Sequence, residues 1–391
     1  MSIHRVPGSA AVLAIIFLSL AMTPAPMGAS DVRHVASRTP VLSVGRELSA
    51  ERSTETSAGQ PVETMVTNTH KWKLLALLSG AVIHDISFPT ASVGYAAAEL
   101  GQVWKTTDGG SKWTEVMNLG FPYYWYGVTA LTAKDVVVSG FNDNDFEGII
   151  RWSHDGGKTW TSDIVLTTTG WSDRVRFANQ EDGLVVDQLS TGQGQPNLAH
   201  YTTDGGAQAS DWTAVVPDPN GGWFGSQFSL LHNLHARMSG ITYCASQDGG
   251  ANWSCQPSID SVFDGPTFFV NDKDGWVGGG EISPSVEGWV HRTTDGGKTW
   301  SGRVLDDPWP IREIWFLTPK IGWATGGNYS QNVGGMYFSG NGGKTWSLDE
   351  STGAEMDACD SRLVNGKYQV WCAGYNSSFS GMIYSLNIAA E

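Results

Sequence analysis

The chain has 391 residues, with 24 lysines and arginines against 39 aspartates and glutamates, and a formal net charge of −15. That acidic balance, without a basic stripe, argues against nucleic acid or an anionic membrane surface as a partner. Four cysteines, without zinc-site spacing, argue against a structural metal.

At the N-terminus, Arg5 precedes an apolar run from Ala10 to Met22, followed by proline and small residues to Ser30. This pattern predicts a secretory signal peptide over residues 1–30 and a secreted, extracytoplasmic protein; the run is short for a membrane span. Residues 31–61 are rich in Ser, Thr, Glu and Arg with little periodicity, and are predicted to be a disordered linker or pro-segment. Residues 62–391 are predicted to form one domain, monomeric, without membrane insertion.

Within that domain one phrase recurs six times. It reads TTDGGSKW at Thr106–Trp113, SHDGGKTW at Ser153–Trp160, TTDGGAQASDW at Thr202–Trp212, SQDGGANW at Ser246–Trp253, TTDGGKTW at Thr293–Trp300 and SGNGGKTW at Ser339–Trp346. Successive copies are 44 to 49 residues apart, the period of a repeat architecture. Each copy separates two short apolar runs, so it reads as a hairpin turn: Asp or Asn bonds the following amides, and the glycines accept positive φ. The acidic position is therefore predicted to be structural rather than catalytic or metal-binding.

Upstream of each copy lies an apolar strand, a turn, and a Gly-aromatic-small strand, as in Ile311–Phe316 followed by Gly322-Trp-Ala-Thr-Gly-Gly. Each repeat thus supplies four strands, the content of a β-propeller blade. After the sixth phrase the pattern restarts at Met356–Cys359 and ends without a turn phrase, whereas His70–Leu77 resembles the outer half of a repeat whose front is missing. The prediction is an all-β, seven-bladed propeller whose N-terminal strand completes the last blade and removes both sheet edges; six blades with a ragged end is the alternative.

Cys244 and Cys255 flank the fourth phrase, and Cys359 and Cys372 flank a turn at Val364–Lys367. Each pair is predicted to form a disulfide between adjacent strands, with buried thiols as the alternative. Asn252, Asn328 and Asn376 begin N-glycosylation sequons.

The repeated phrase resembles the Asp-box, or bacterial neuraminidase repeat, of sialidases, sortilins, xyloglucan-cleaving glucanases and the photosystem II stability/assembly factor family. The resemblance to the last covers about residues 70–387 and implies a non-enzymatic scaffold that binds protein partners through its loops, aided by a basic patch. Basic residues are scarce here, although Arg174, Arg176 and Arg312 are placed to approach one another at the mouth of the ring. The sialidase pattern is missing, since no arginine occurs between Arg52 and Arg151.

In such a ring the binding face lies opposite the repeated turns. Its predicted loops carry Tyr123, Tyr124, Trp125, Trp171, Trp223 and Trp309, a composition suited to a protein or glycan partner. A glycoside hydrolase or lectin is the alternative. Hydrolysis requires two carboxylates at a fixed separation, for which Asp85, Asp173 and Asp264 are the candidates. No cofactor is indicated.

Overall fold

A computed structural model describes residues 70–189, 197–219, 227–257, 259, 264–281, 287–305, 309–328 and 331–390. The leader and linker predicted at 1–30 and 31–61 lie outside the described residues, as does Trp223. Among the described residues the strands form seven antiparallel sheets of four, each a blade. The chain is a seven-bladed β-propeller. The six-blade alternative fails because the seventh sheet is complete.

The innermost strands of blades 1 to 7 are Ile83–Ser87, Tyr123–Ala130, Gly170–Phe177, Ser229–Leu230, Asp264–Phe269, Ile311–Phe316 and Glu355–Val364. Blade 7 continues outward through Lys367–Tyr375 and Ser380–Ala389 to Lys73–Ser79, the N-terminal strand, which pairs antiparallel with Ser380–Ala389. Asp349, on the outer strand of blade 6, secures the approach to this seam. Its carboxylate accepts from the Trp72 indole at 2.9 Å, the Trp323 indole at 3.0 Å and the His70 backbone amide at 2.8 Å.

Each repeated turn is satisfied internally. In the second copy the Ser153 hydroxyl donates to Asp155 and accepts from the Gly157 amide, while Asp155 accepts from the amides of Lys158 and Thr159 and the Thr159 hydroxyl. The Thr159 bonds, side chain then backbone, draw the Asp155 carboxyl down to about 2. Both glycines of every copy have positive φ. In five copies the closing Trp indole donates to the carbonyl of the second glycine, as Trp300 does to Gly297 at 3.0 Å.

These turns also join neighbouring blades. Trp371 of blade 7 donates to Gly109 O in the turn of blade 1 at 2.9 Å, and Trp276 of blade 5 to Gly342 O in that of blade 6 at 2.9 Å. Each indole stacks on a phenylalanine of the next blade, Trp371 on Phe88 at 3.8 Å and Trp276 on Phe316 at 3.4 Å between ring centroids. The glycine that opens the second strand makes room for that ring: a Cβ on Gly94 or Gly322 would strike Phe88 or Phe316. The Gly-aromatic pattern thus has a packing cause.

Both cysteine pairs are disulfides. Cys244 lies opposite Cys255 and Cys359 opposite Cys372 in register, each pair with Cα atoms 4.1 Å apart. No helix among the described residues is long and apolar enough to cross a membrane.

Candidate functional site

Antiparallel strand order fixes which loops share a face. Turns joining strands one to two and three to four of a blade lie on one face, the turn face, which carries all six repeated phrases. Turns joining strands two to three, and the connections into each new blade, lie on the opposite, mouth face.

Near the mouth the innermost strands share an irregularity. Their register slips once in six blades: between Ile83 and Asp85, Trp125 and Gly127, Ser172 and Val175, Asp264 and Thr267, Ile311 and Glu313, and Met356 and Ala358. A bulge takes a residue out of the ladder and re-aims its side chain, and bulges concentrate at barrel rims and functional sites. The residues so released include His84, Tyr126, Arg174, Arg312 and Asp357.

Arg174 closes the centre of the ring. One guanidinium nitrogen bonds Glu313 of blade 6, and another donates to the backbone carbonyls of His84 in blade 1 and Asp357 in blade 7. Gln227, leading into blade 4, donates to Glu313 Oε1 at 2.7 Å and to Ile314 O at 3.0 Å. The Arg174 and Glu313 side chains are 3% and 2% exposed. Burial pushes the Glu313 carboxyl up to about 7, against the opposing pull of Arg174. Arg176 forks onto Asp85 at 2.8 and 3.1 Å, and Asp85 also accepts from the amides of Ile86 and Val128. Five blades therefore meet in Arg174, Glu313 and Gln227, and the Arg176–Asp85 fork ties blade 3 to blade 1.

Above this lock sits His84. Its ring nitrogens lie 3.4 Å from both Glu99 and Asp357, and Tyr126 and Tyr375 meet it edge-on at 5.3 and 5.7 Å. Burial disfavours its charge, but bonds to Asp357 and Glu99 prevail and raise it to about 10, so the imidazolium persists at neutral pH. Arg312 pairs with Glu355 at 2.9 Å.

The predicted site residues fare unequally. The Tyr123–Tyr126 run, read as loop, begins a strand; Trp125 is 0% exposed within the core shared with Tyr95 and Val138, so it cannot be a surface anchor. Tyr123 donates to Asp163 at 3.2 Å beneath the Arg151 guanidinium. Tyr124 is half-buried opposite Phe141, which Trp171 meets edge-on at 6.3 Å; Trp309 is half-buried as well. Arg174, Arg176 and Arg312 each hold their own carboxylate, so they form no shared patch.

Among the hydrolysis candidates, Asp85 is buried under Arg176. Asp173 is buried with Gln188 donating to it, and burial pushes its carboxyl up to about 6. Asp264 opens the innermost strand of blade 5.

Of the sequons, Asn252 lies exposed on the turn face, donating to Asp248, whereas Asn328 and Asn376 are half-buried on the mouth side. Sequence reasoning passed over His84, Glu99 and Tyr375. The one available signal was that His84 stands beside Asp85 at the start of an inner strand.

No protein-family model and no curated protein matches the chain. Solved structures do match in fold. A structure of YCF48 bound to D1 peptide superposes with a TM-score of 0.57 at 16% identity, covering 82% of this chain and 98% of that one. YCF48 from Cyanidioschyzon merolae gives 0.55 at 19% identity, covering 81% and 98%. A GH74 enzyme of Niastella koreensis gives 0.54 at 16% identity, covering 77% of this chain and 53% of that one. Identities this low establish the propeller fold alone.

Proposed function

We propose that this chain is a secreted, non-catalytic binding propeller that engages a protein partner through its mouth face, as a scaffold of the photosystem II assembly factor-like type. The repeated turns act in it as Asp-boxes that fasten the blades. One observation carries the reading: the innermost-strand carboxylates Asp85 and Glu313 are already engaged by Arg176 and Arg174 and withdrawn from solvent. General acid–base hydrolysis needs an acid and a base that both touch substrate. The mouth instead presents a fixed rim of tyrosines, His84 and paired charges on a rigid lock, a surface for recognition. The complex of YCF48 with D1 peptide supports a polypeptide partner for a propeller of this form.

The test is to incubate the folded protein with a panel of chromogenic glycosides and to screen it on peptide and glycan arrays. Retention of peptides with no glycoside turnover is expected. Turnover that Asp85→Asn or Asp173→Asn abolishes would replace this reading with hydrolysis, and retention of glycans alone would replace it with a lectin.

A further inference from the structure

The fold sorts charge by face. All the lysines between positions 71 and 367 fall at the turn-face end of the structure: Lys112, Lys158, Lys298 and Lys344 in repeated turns, Lys134, Lys273, Lys320 and Lys367 at turns joining strands one to two. Lys105 ends a third strand, and Lys71 and Lys73 lead into the closing strand from the same side. The mouth face has no lysine. Arg174, Arg176 and Arg312 of the innermost strands, and Arg151 over the Tyr123 ring, each hold a carboxylate.

The mouth side of blades 1 and 2 therefore carries an excess of acid, and it does so beside exposed aromatics. Glu99 lies in the turn between strands two and three of blade 1, and Asp143, Asp145 and Glu147 at the corresponding loop of blade 2. The charges of Glu99 and Asp143 both reach Tyr124 and Tyr126. Partial burial, with Asp145 and Asp163 nearby, raises the Glu147 carboxyl.

The Asp143 amide donates to Pro122 O at 3.0 Å, which joins this loop to the one bearing Phe121. Phe121 is 61% exposed and Phe146 43%, the latter held at φ +60°, a conformation that L side chains rarely adopt. Phe146 meets Phe141 edge-on at 5.3 Å, and Phe141 in turn meets Trp171. Aromatic rings flanked by carboxylates attract an ammonium or guanidinium group through both the ring quadrupole and the negative charge.

Resting on the binding reading above, we propose that the track from His84 and Tyr126 outward over blade 2 to Phe121 and Phe146 binds a basic linear peptide segment. Its lysine or arginine lies at Tyr124 between Glu99 and Asp143, and an apolar neighbour covers Phe121 and Phe146. The charge complementarity specifies the occupant: a cation meets no competing lysine on this face, and the His84 imidazolium beside Glu99 leaves Asp143, Asp145 and Glu147 in excess.

The experiment couples the full chain to a sensor through its lysines, which leaves the mouth free, and passes over it an alternating lysine–leucine decapeptide and its glutamate–leucine counterpart. The lysine peptide is expected to bind, more weakly at high salt, and the glutamate peptide not. The double variants Glu99→Gln/Asp143→Asn and Phe121→Ala/Phe146→Ala are each expected to weaken it about tenfold, equivalent to about 1.4 kcal/mol. The turn-face pair Glu115→Gln/Asp182→Asn is expected to leave it unchanged. An equal loss in the turn-face pair would mean diffuse attraction and overturn the track. Preference for the glutamate peptide would overturn the charge inference while leaving peptide binding intact. Binding of neither peptide, with other array peptides retained, would also overturn the inference; failure of every peptide would remove the binding reading itself.

Discussion

Replacing Arg174 with alanine is expected to destabilise the fold by about 3–5 kcal/mol, measured as a shift in chemical denaturation midpoint. The substitution leaves Glu313 buried with its charge unmatched and releases the carbonyls of His84 and Asp357, so bonds to three other blades go together. Arg174→Lys keeps the charge but loses the fork that spans these acceptors, and is expected to recover only part of the loss. Arg174→Met combined with Glu313→Leu removes both charges and is expected to cost less than Arg174→Ala alone, since breaking a buried pair is worse than deleting it. Equal stability of Arg174→Ala and the parent would show that the centre of the ring is not a lock.

Deleting residues 70–79 is expected to abolish cooperative folding. The deletion removes the outer strand of blade 7, strips Ser380–Ala389 of its partner from Ser380 to Ser385, and uncovers the core that Trp72 and Leu78 cover. Burying those two side chains contributes about 1.5–3 kcal/mol each. Adding the strand pairing and the Asp349 bonds brings the loss close to the roughly 5–15 kcal/mol that hold a whole domain together. The Cys359–Cys372 disulfide joins the two innermost strands of the same blade and cannot replace the seam. A synthetic peptide of residues 70–80 added in trans is expected to restore the cooperative transition. An unchanged denaturation midpoint in the truncated protein would show that the ring closes without this strand.

The sequence carried the ring because its determinants are local. A turn phrase with two positive-φ glycines, a glycine facing a phenylalanine, and cysteines placed across a hairpin are each readable from neighbouring residues. The closing strand was legible for the same reason: Trp72 and the apolar residues after it look like the end of a repeat without a beginning. The mouth was less legible. A bulge adds one residue to a strand and alters no composition, so nothing marked Tyr126 as re-aimed while Trp125 turned into the core. Aromatic density made residues 123–126 look like a loop, although alternate residues of that strand serve opposite faces. Arg174 and Glu313 stand 139 positions apart, and only ring closure brings them together. Charge sorting is similar: each lysine is unremarkable alone, and the pattern emerges once antiparallel order assigns every turn to a face.

Hydrogen–deuterium exchange of the intact protein, with and without the lysine–leucine peptide, tests the central claim that recognition lies on the face opposite the repeated turns. Slower exchange is predicted at residues 118–126 and 141–147 and around Glu99, with the turn at Thr106–Trp113 and its five counterparts unaffected. Slower exchange confined to those turns, with the mouth loops unchanged, would contradict it.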